Sequence, residues 1–169
     1  MHTKLVTSNS RLHAVHTGSK TWGAGRLMPG KGTSDLQVGQ LAIDVEAILG
    51  TPDEKREFAS QFYYIYRDKG VDVDFGEPAG RVKRLVFYDA GVAGHSGGAR
   101  VSVDGVGFGS SRAQVIKAFG MPDVEGGPVR VANRKKSWIC YASGLQFEFN
   151  ARGRVIIIMV FDPRLHRAC

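Results

Sequence analysis

Hydrophobic and polar positions along this chain follow two rhythms, and the rhythms come in the same order twice. Leu41, Val45, Ile48 and Leu49 fall at i, i+4, i+7 and i+8, the one-sided stripe of a helix, and Gly50 followed by Pro52 stops it. The run Phe62-Tyr63-Tyr64-Ile65-Tyr66 is aromatic and β-prone, Asp68-Lys69-Gly70 makes a turn, and Val71, Val73 and Phe75 then alternate with Asp72 and Asp74. Alternation of that kind turns one face of a strand to a core and the other to solvent. Val82 to Tyr88 supplies a further strand.

The second passage begins with Ser111 and Gln114 at capping-box spacing, followed by Val115, Ala118 and Phe119 on the equivalent helical face and by Gly120. Strands are expected over Ser137 to Ala142, over Leu145, Phe147 and Phe149 alternating with Gln146 and Glu148, and over Val155 to Phe161. That last run is apolar on both sides. It predicts a central strand covered by helix on one face and by the other half or a partner on the other.

The two passages can be laid over each other. Gly50 falls on Gly120, Pro52 on Pro122 and Asp53 on Asp123, each at an offset of 70; Gly70 to Phe75 lies over Gly144 to Phe149 at 74, and Gly80-Arg81-Val82 over Gly153-Arg154-Val155 at 73. The fold class expected is α+β, with two tandem repeats, each a short helix or helix pair packed on an antiparallel β-meander. The second helix of a pair would run from Asp53 to Ser60, with Asp53 and Glu54 in its first turn. The boundaries read as an N-terminal arm over 1–37 with a possible edge strand around Arg11 to Thr17, repeats over 38–90 and 101–162, a linker over 91–100, and a tail over 163–169.

Composition narrows the class. The 169 residues are 43% hydrophobic and 23% charged, which is the make-up of a globular chain of one ordinary domain or two small halves. No apolar run approaches the roughly 20 residues of a spanning helix, and Leu5-Val6 behind Lys4 is too little for a secretory signal, so no membrane partner and a cytoplasmic location are expected. Cys140 and Cys169 read as free thiols, which suits a reducing compartment. The net charge of +7 favours acidic partners without naming one.

Candidate chemistry is thin. Gly94-His95-Ser96-Gly97-Gly98 matches the nucleophile-elbow pattern, but Ala99 to Val103 after it reads as strand where that motif needs a helix. It is read as a flexible linker. Gly105-Val106-Gly107-Phe108-Gly109 lacks the third dinucleotide-loop glycine, since Ser110 stands there. Asp72 and Asp74 share a strand face and read as a solvated surface. His2, His13, His16, His95 and His166 are dispersed, so neither a metal nor a cofactor is expected. Asn133-Arg134-Lys135-Lys136 near Trp138 and Tyr141 is the strongest basic cluster, Arg81, Lys83 and Arg84 form another, and basic residues interleaved with aromatics can hold nucleic acid.

The order of hydrophobic-Gly, helix, Leu-Gly-x-Pro-Asp, Tyr, Gly, alternating strand and Gly-x-Val strand resembles the tandem-repeat fold of the β-lactamase inhibitory protein over about residues 36 to 161. It is also similar to single-copy outer-membrane assembly lipoproteins and to two-repeat bacterial proteins encoded beside secreted toxins. The resemblance implies a non-enzymatic protein-binding inhibitor, an immunity protein that occludes a toxin's active site. The partner-binding residues expected are Tyr64, Tyr66 and Trp138 as aromatic anchors, with Arg67, Lys69, Arg134, Lys135 and Lys136 meeting an acidic surface. A nucleic-acid-binding module using the same residues is the alternative.

Overall fold

The computed structural model of the chain describes residues 24–58, 61–76, 80–131 and 134–164. Strand β1 (Ala24–Arg26) leads to helix α1 (Ala42–Leu49), then to β2 (Glu54–Phe58), β3 (Gln61–Tyr66), β4 (Val71–Gly76) and β5 (Arg81–Tyr88). Next come β6 (Arg100–Val103), β7 (Val106–Gly107), helix α2 (Arg112–Phe119), β8 (Val124–Val131), β9 (Arg134–Tyr141), β10 (Leu145–Phe149) and β11 (Val155–Phe161). The described residues thus form a mostly β structure with two short helices, as an α+β reading requires.

Two meanders fuse into one sheet. Its order is β2-β3-β4-β5-β11-β10-β9-β8, with every neighbouring pair antiparallel, and the junction is the β5–β11 pairing of Phe87 with Ile158 and Leu85 with Val160. A small sheet, β1-β6-β7, stands apart, with β1 and β6 parallel. The main core forms on one face of the large sheet, where Tyr66, Val71, Val73, Phe75, Phe87, Phe147, Phe149 and Ile158 cluster with Val45 and Leu49 of α1, Val115 of α2, and Val101, Val103 and Val106 of the small sheet. At about 25 cal/mol per Å² of apolar surface removed from water, this burial is the main force holding the layers together.

Each helix is ended and anchored by the same device. Gly50 and Gly120 have φ of 81° and 80°, a backbone region open to glycine at little cost, and their amides donate to Glu46 O and Ile116 O. The Tyr66 hydroxyl donates to Gly50 O at 3.2 Å, and the Tyr141 hydroxyl to Gly120 O at 3.1 Å. Asp53 accepts from the Arg67 amide at 2.6 Å and Asp123 from the Ala142 amide at 2.7 Å, so each Pro-Asp ties the helix exit to the next hairpin. The starts differ. Ser111 and Gln114 form the full capping box, whereas at Leu41 only the Asp44 carboxylate accepts from the Leu41 amide.

Several expectations are corrected. Residues 54–58 form an edge strand in place of a second helix: Glu54 to Phe58 pair in register with Ile65 to Gln61, and Asp53 is drawn to the Arg67 amide, away from any helix-capping role. Each half therefore carries one helix. Strand β8, which follows α2, was not among the strands read from the sequence. Residues 24–37 belong to the body, since Leu27 and Leu36 are buried, while the edge strand expected around Arg11 to Thr17 lies outside the described residues. Cys140 is buried and disulfide-bonded and so is not the free thiol expected; Cys169 lies outside the described residues.

Candidate interaction surface

The expected anchors do not share one surface. Sheet pairing puts Phe62, Tyr64 and Tyr66 on the helix face, because their partners Phe75, Val73 and Val71 are core residues. Tyr66 is fully buried with its hydroxyl satisfied by Gly50, and burial pushes its phenol well above the ordinary range. Tyr64 is buried against Phe75 at 4.8 Å and covered by Lys55, whose Nζ stands 4.4 Å above the ring. Neither can anchor a partner from the surface, and the expectation for both is corrected.

The basic residues are divided too. Arg67 is bonded to Glu54 at 2.6 Å and Lys69 to Asp68 at 3.0 Å. The Arg134, Lys135 and Lys136 backbones lie in β9 opposite Val131, Arg130 and Val129, and their side chains lie outside the described residues. Five strand spacings separate β3 from β9. At about 4.8 Å each, the two sets stand about 24 Å apart. Arg84 is held by Asp74 and Arg81 by the Gly39 carbonyl, so the second basic cluster is tied down as well.

The face away from the helices carries the chemistry. On it stand Arg56 and Tyr63, directly opposite each other, then Ile65 across from Asp72 and Tyr63 across from Asp74, with Asp74 opposite Arg84 in turn. Arg56, Glu57, Tyr63, Ile65 and Asp72 line a cleft of about 430 Å³. The two aspartates are not the solvated surface that alternation suggested. Asp74 is 3% exposed and bonded to Arg84 at 3.0 Å; burial raises its carboxyl above the ordinary range, with Arg84 pulling the other way. One Asp74 oxygen, Oδ1, and Arg84 Nε have no hydrogen-bond partner.

Asp72 is the hub of a second cluster. It accepts from the Tyr88 hydroxyl at 2.9 Å, and its other oxygen lies 2.9 Å from His95 Nε2. The His95 ring stacks on Tyr88 at 3.9 Å and is 3% exposed, with Nδ1 3.2 Å from the Val92 carbonyl. Both ring nitrogens thus contact acceptors within the protein, and the Gly94–Gly98 motif builds a clamp around Asp72 and Tyr88. Burial and then the Asp72 charge push the Tyr88 phenol upward.

The clamp explains the linker. Gly91 donates to His95 O, Gly97 to Arg67 O and Ala99 to Tyr88 O, so this stretch is folded onto the β3–β4 hairpin instead of spanning freely. A side chain at Gly97 would run into the Asp68 carbonyl. The sequence signal was present, a histidine inside a glycine run, but its partner Asp72 lies 23 residues away and only the fold joins them.

At the matching place in the other half, Trp138 pairs with Gly126, which leaves no room for a side chain under the half-buried indole. Edges are blunted at both ends of the sheet: β2 reads Glu-Lys-Arg-Glu-Phe, and β8 contains Gly126-Gly127-Pro128 with a register shift there. The described residues include no helix long and apolar enough to cross a membrane, and no group of three or more His, Cys, Asp or Glu side chains placed to hold a metal ion.

Fold and surface together define an α+β protein with a continuous antiparallel sheet, covered by helices on one face and lined with paired charges and aromatics on the other. No family model and no curated protein matches the chain. Among solved structures it is similar to a DUF4309 family protein from Bacillus subtilis, at 14% identity and a TM-score of 0.49 over 78% of this chain and 87% of that one. It is also similar to an extracellular SCP-domain protein from Bacillus anthracis, at 13% identity and a TM-score of 0.47 over 76% of this chain. A cysteine-rich secretory protein from Staphylococcus aureus gives 12% identity and 0.48 over 83%. The chain spans 45% and 50% of the lengths of those last two.

Proposed function

We propose that the protein acts without catalysing a reaction, by binding another protein, and that it is an immunity-type inhibitor covering the active site of a bacterial toxin. The observation that carries this reading is the single sheet made by the β5–β11 junction, whose edges are blunted while the face away from the helices keeps an open, mixed-charge cleft. Such a sheet offers shape and charge across a broad face. The matched Tyr–Gly and Asp–amide contacts support the further reading that the halves are copies of one ancestral unit.

The His95 clamp supports the non-catalytic reading, because the histidine nearest an exposed serine has both nitrogens engaged within the protein. The nucleic-acid alternative loses ground because Arg67 and Arg84 are ion-paired and the expected basic set is split across the sheet. An N-terminus too poor in apolar residues for a secretory signal and the expected free thiols point to cytoplasmic residence, whereas a disulfide-bonded Cys140 favours a compartment where disulfides persist.

Co-expression with the products of adjacent genes tests the reading. We expect one of them to be toxic alone, tolerated with this protein, and recovered with it as a stable complex. Toxicity that persists, with no complex formed, contradicts the proposal.

A further inference from the structure

The face away from the helices is not bare along its whole width. Ile139 and Tyr141 point into the main core, so Cys140 between them faces the other way, as do Ile157, Met159 and Phe161, which alternate with the core residues Ile158 and Val160. Cys140 is 0% exposed, Phe161 2% and Ile157 3%, yet none of them belongs to the helix-side core. An uncovered sheet face is solvated, so burial this deep requires a cover. Both helices, the small sheet, Leu27 and Leu36 join the core on the opposite face. The 91–98 linker is held at Asp72, and the row Asp72, Val86, Met159, Gln146, Cys140 crosses four strand spacings, about 19 Å.

A bond names the cover. Cys140 is disulfide-bonded, and the 169 residues contain one other cysteine, Cys169. The reach agrees. The point where a side chain on Gly30 would begin lies 2.9 Å from the Ser143 carbonyl and 3.4 Å from the Pro163 ring, which sets Pro163 beside the β9–β10 turn. Cys140 precedes Ser143 by three residues, about 10 Å along the strand, and residues 164–169 span at most about 20 Å. Their sequence, Arg-Leu-His-Arg-Ala-Cys, brings apolar and basic groups to a face that carries Trp138, Met159, Gln146 and Glu148.

We infer that residues 165–169 cover the β9–β11 part of this face and are strapped to it by a Cys140–Cys169 disulfide. The strap closes the second half from within, and the β2–β4 cleft stays outside it. It forms when the two thiols give up two protons and two electrons to a disulfide oxidant of the glutathione class, which leaves as two thiols; a dithiol reductant reverses the exchange. Reduction therefore uncovers an apolar strip of Ile157, Met159 and Phe161, so this part of the face has a closed and an open form set by the redox state of its surroundings.

The test begins with the linkage in the full chain after oxidation by a glutathione pair. Trypsin digestion without reduction should give the peptide 137–152 joined to residues 168–169, a mass that dithiothreitol splits. In the intact chain the reductant should lower the melting temperature by several degrees and raise the fluorescence of an apolar-surface dye roughly two-fold or more. Cys169→Ser should reproduce both changes without reductant, and reductant should add nothing to them. A Cys140 thiol that is alkylated in the folded, oxidised chain, a linkage to Cys140 of a second copy, or melting and dye binding that ignore the reductant overturns the strap. No partner takes part in the experiment, so its failure would leave the protein-binding reading standing.

Discussion

In the β2–β5 half, Arg56 stands opposite Tyr63 beside an open cleft; at the same place in the β8–β11 half, Gly126 stands beneath the indole of Trp138. The helices differ in the same direction. On α1, Ile43 is 75% exposed and Leu41 37%, where α2 has Ala113 and Ser111. Internal contacts are nevertheless matched, with a tyrosine hydroxyl on each post-helix glycine carbonyl and an aspartate on each hairpin amide. The matched contacts hold helix exits to hairpins and serve folding, whereas the outward residues of β2–β5 and β8–β11 differ. The open side is where the proposed partner would have room to act.

The largest effect should be common to both halves. Tyr66→Ala and Tyr141→Ala each remove a buried ring and its bond to a helix-ending carbonyl, and each should cost about 3–5 kcal/mol in denaturant unfolding, as large aromatic truncations do. Costs that differ several-fold would break the equivalence of the skeletons. The next effect should separate the halves. Gly126→Val must displace the Trp138 indole and should cost about 1–3 kcal/mol, the range for overpacking, whereas Arg56→Val at the matching, exposed place should stay within about 0.5 kcal/mol. Equal costs would mean that the first-half cleft is not open.

How much of this was legible in the chain depends on range. The helical stripes, the Gly-x-Pro-Asp exits and the alternating strands are local, and they stand where periodicity puts them. Strand β2 was not legible, because an edge strand with Glu, Lys and Arg in succession has no apolar alternation and reads like the charged first turn of a helix. The anchors went astray on parity. Tyr63, Tyr64 and Tyr66 sit in one strand, and only the pairing with β4 decides that Tyr63 faces the cleft while the other two enter the core. The burial of Asp74 and the pairing of half-buried Asp72 depend on Arg84, Tyr88 and His95, contacts that no local pattern encodes.

The smallest effect is a pH dependence at Asp74. Burial raises the folded-state Asp74 carboxyl above its ordinary value of 3.8, so the folded protein holds this proton to higher pH than the unfolded chain does. Its contribution to stability is then full below that value and is lost as pH rises through the raised one. Asp74→Asn removes the titration, so the melting temperature of the variant relative to the parent should rise between acid and neutral pH. A difference that is flat or falls with pH contradicts the assignment.

The central claim is that the protein works by binding through the open half. Survival of cells making the toxic product of an adjacent gene together with this protein or its surface variants tests that most directly. The account predicts protection by the parent chain and by Ala113→Lys on the exposed face of α2, and protection lost with Tyr63→Ala and with Arg56→Glu, although all four proteins accumulate folded. Undiminished protection by Tyr63→Ala and Arg56→Glu, or no protection by the parent chain, would contradict it.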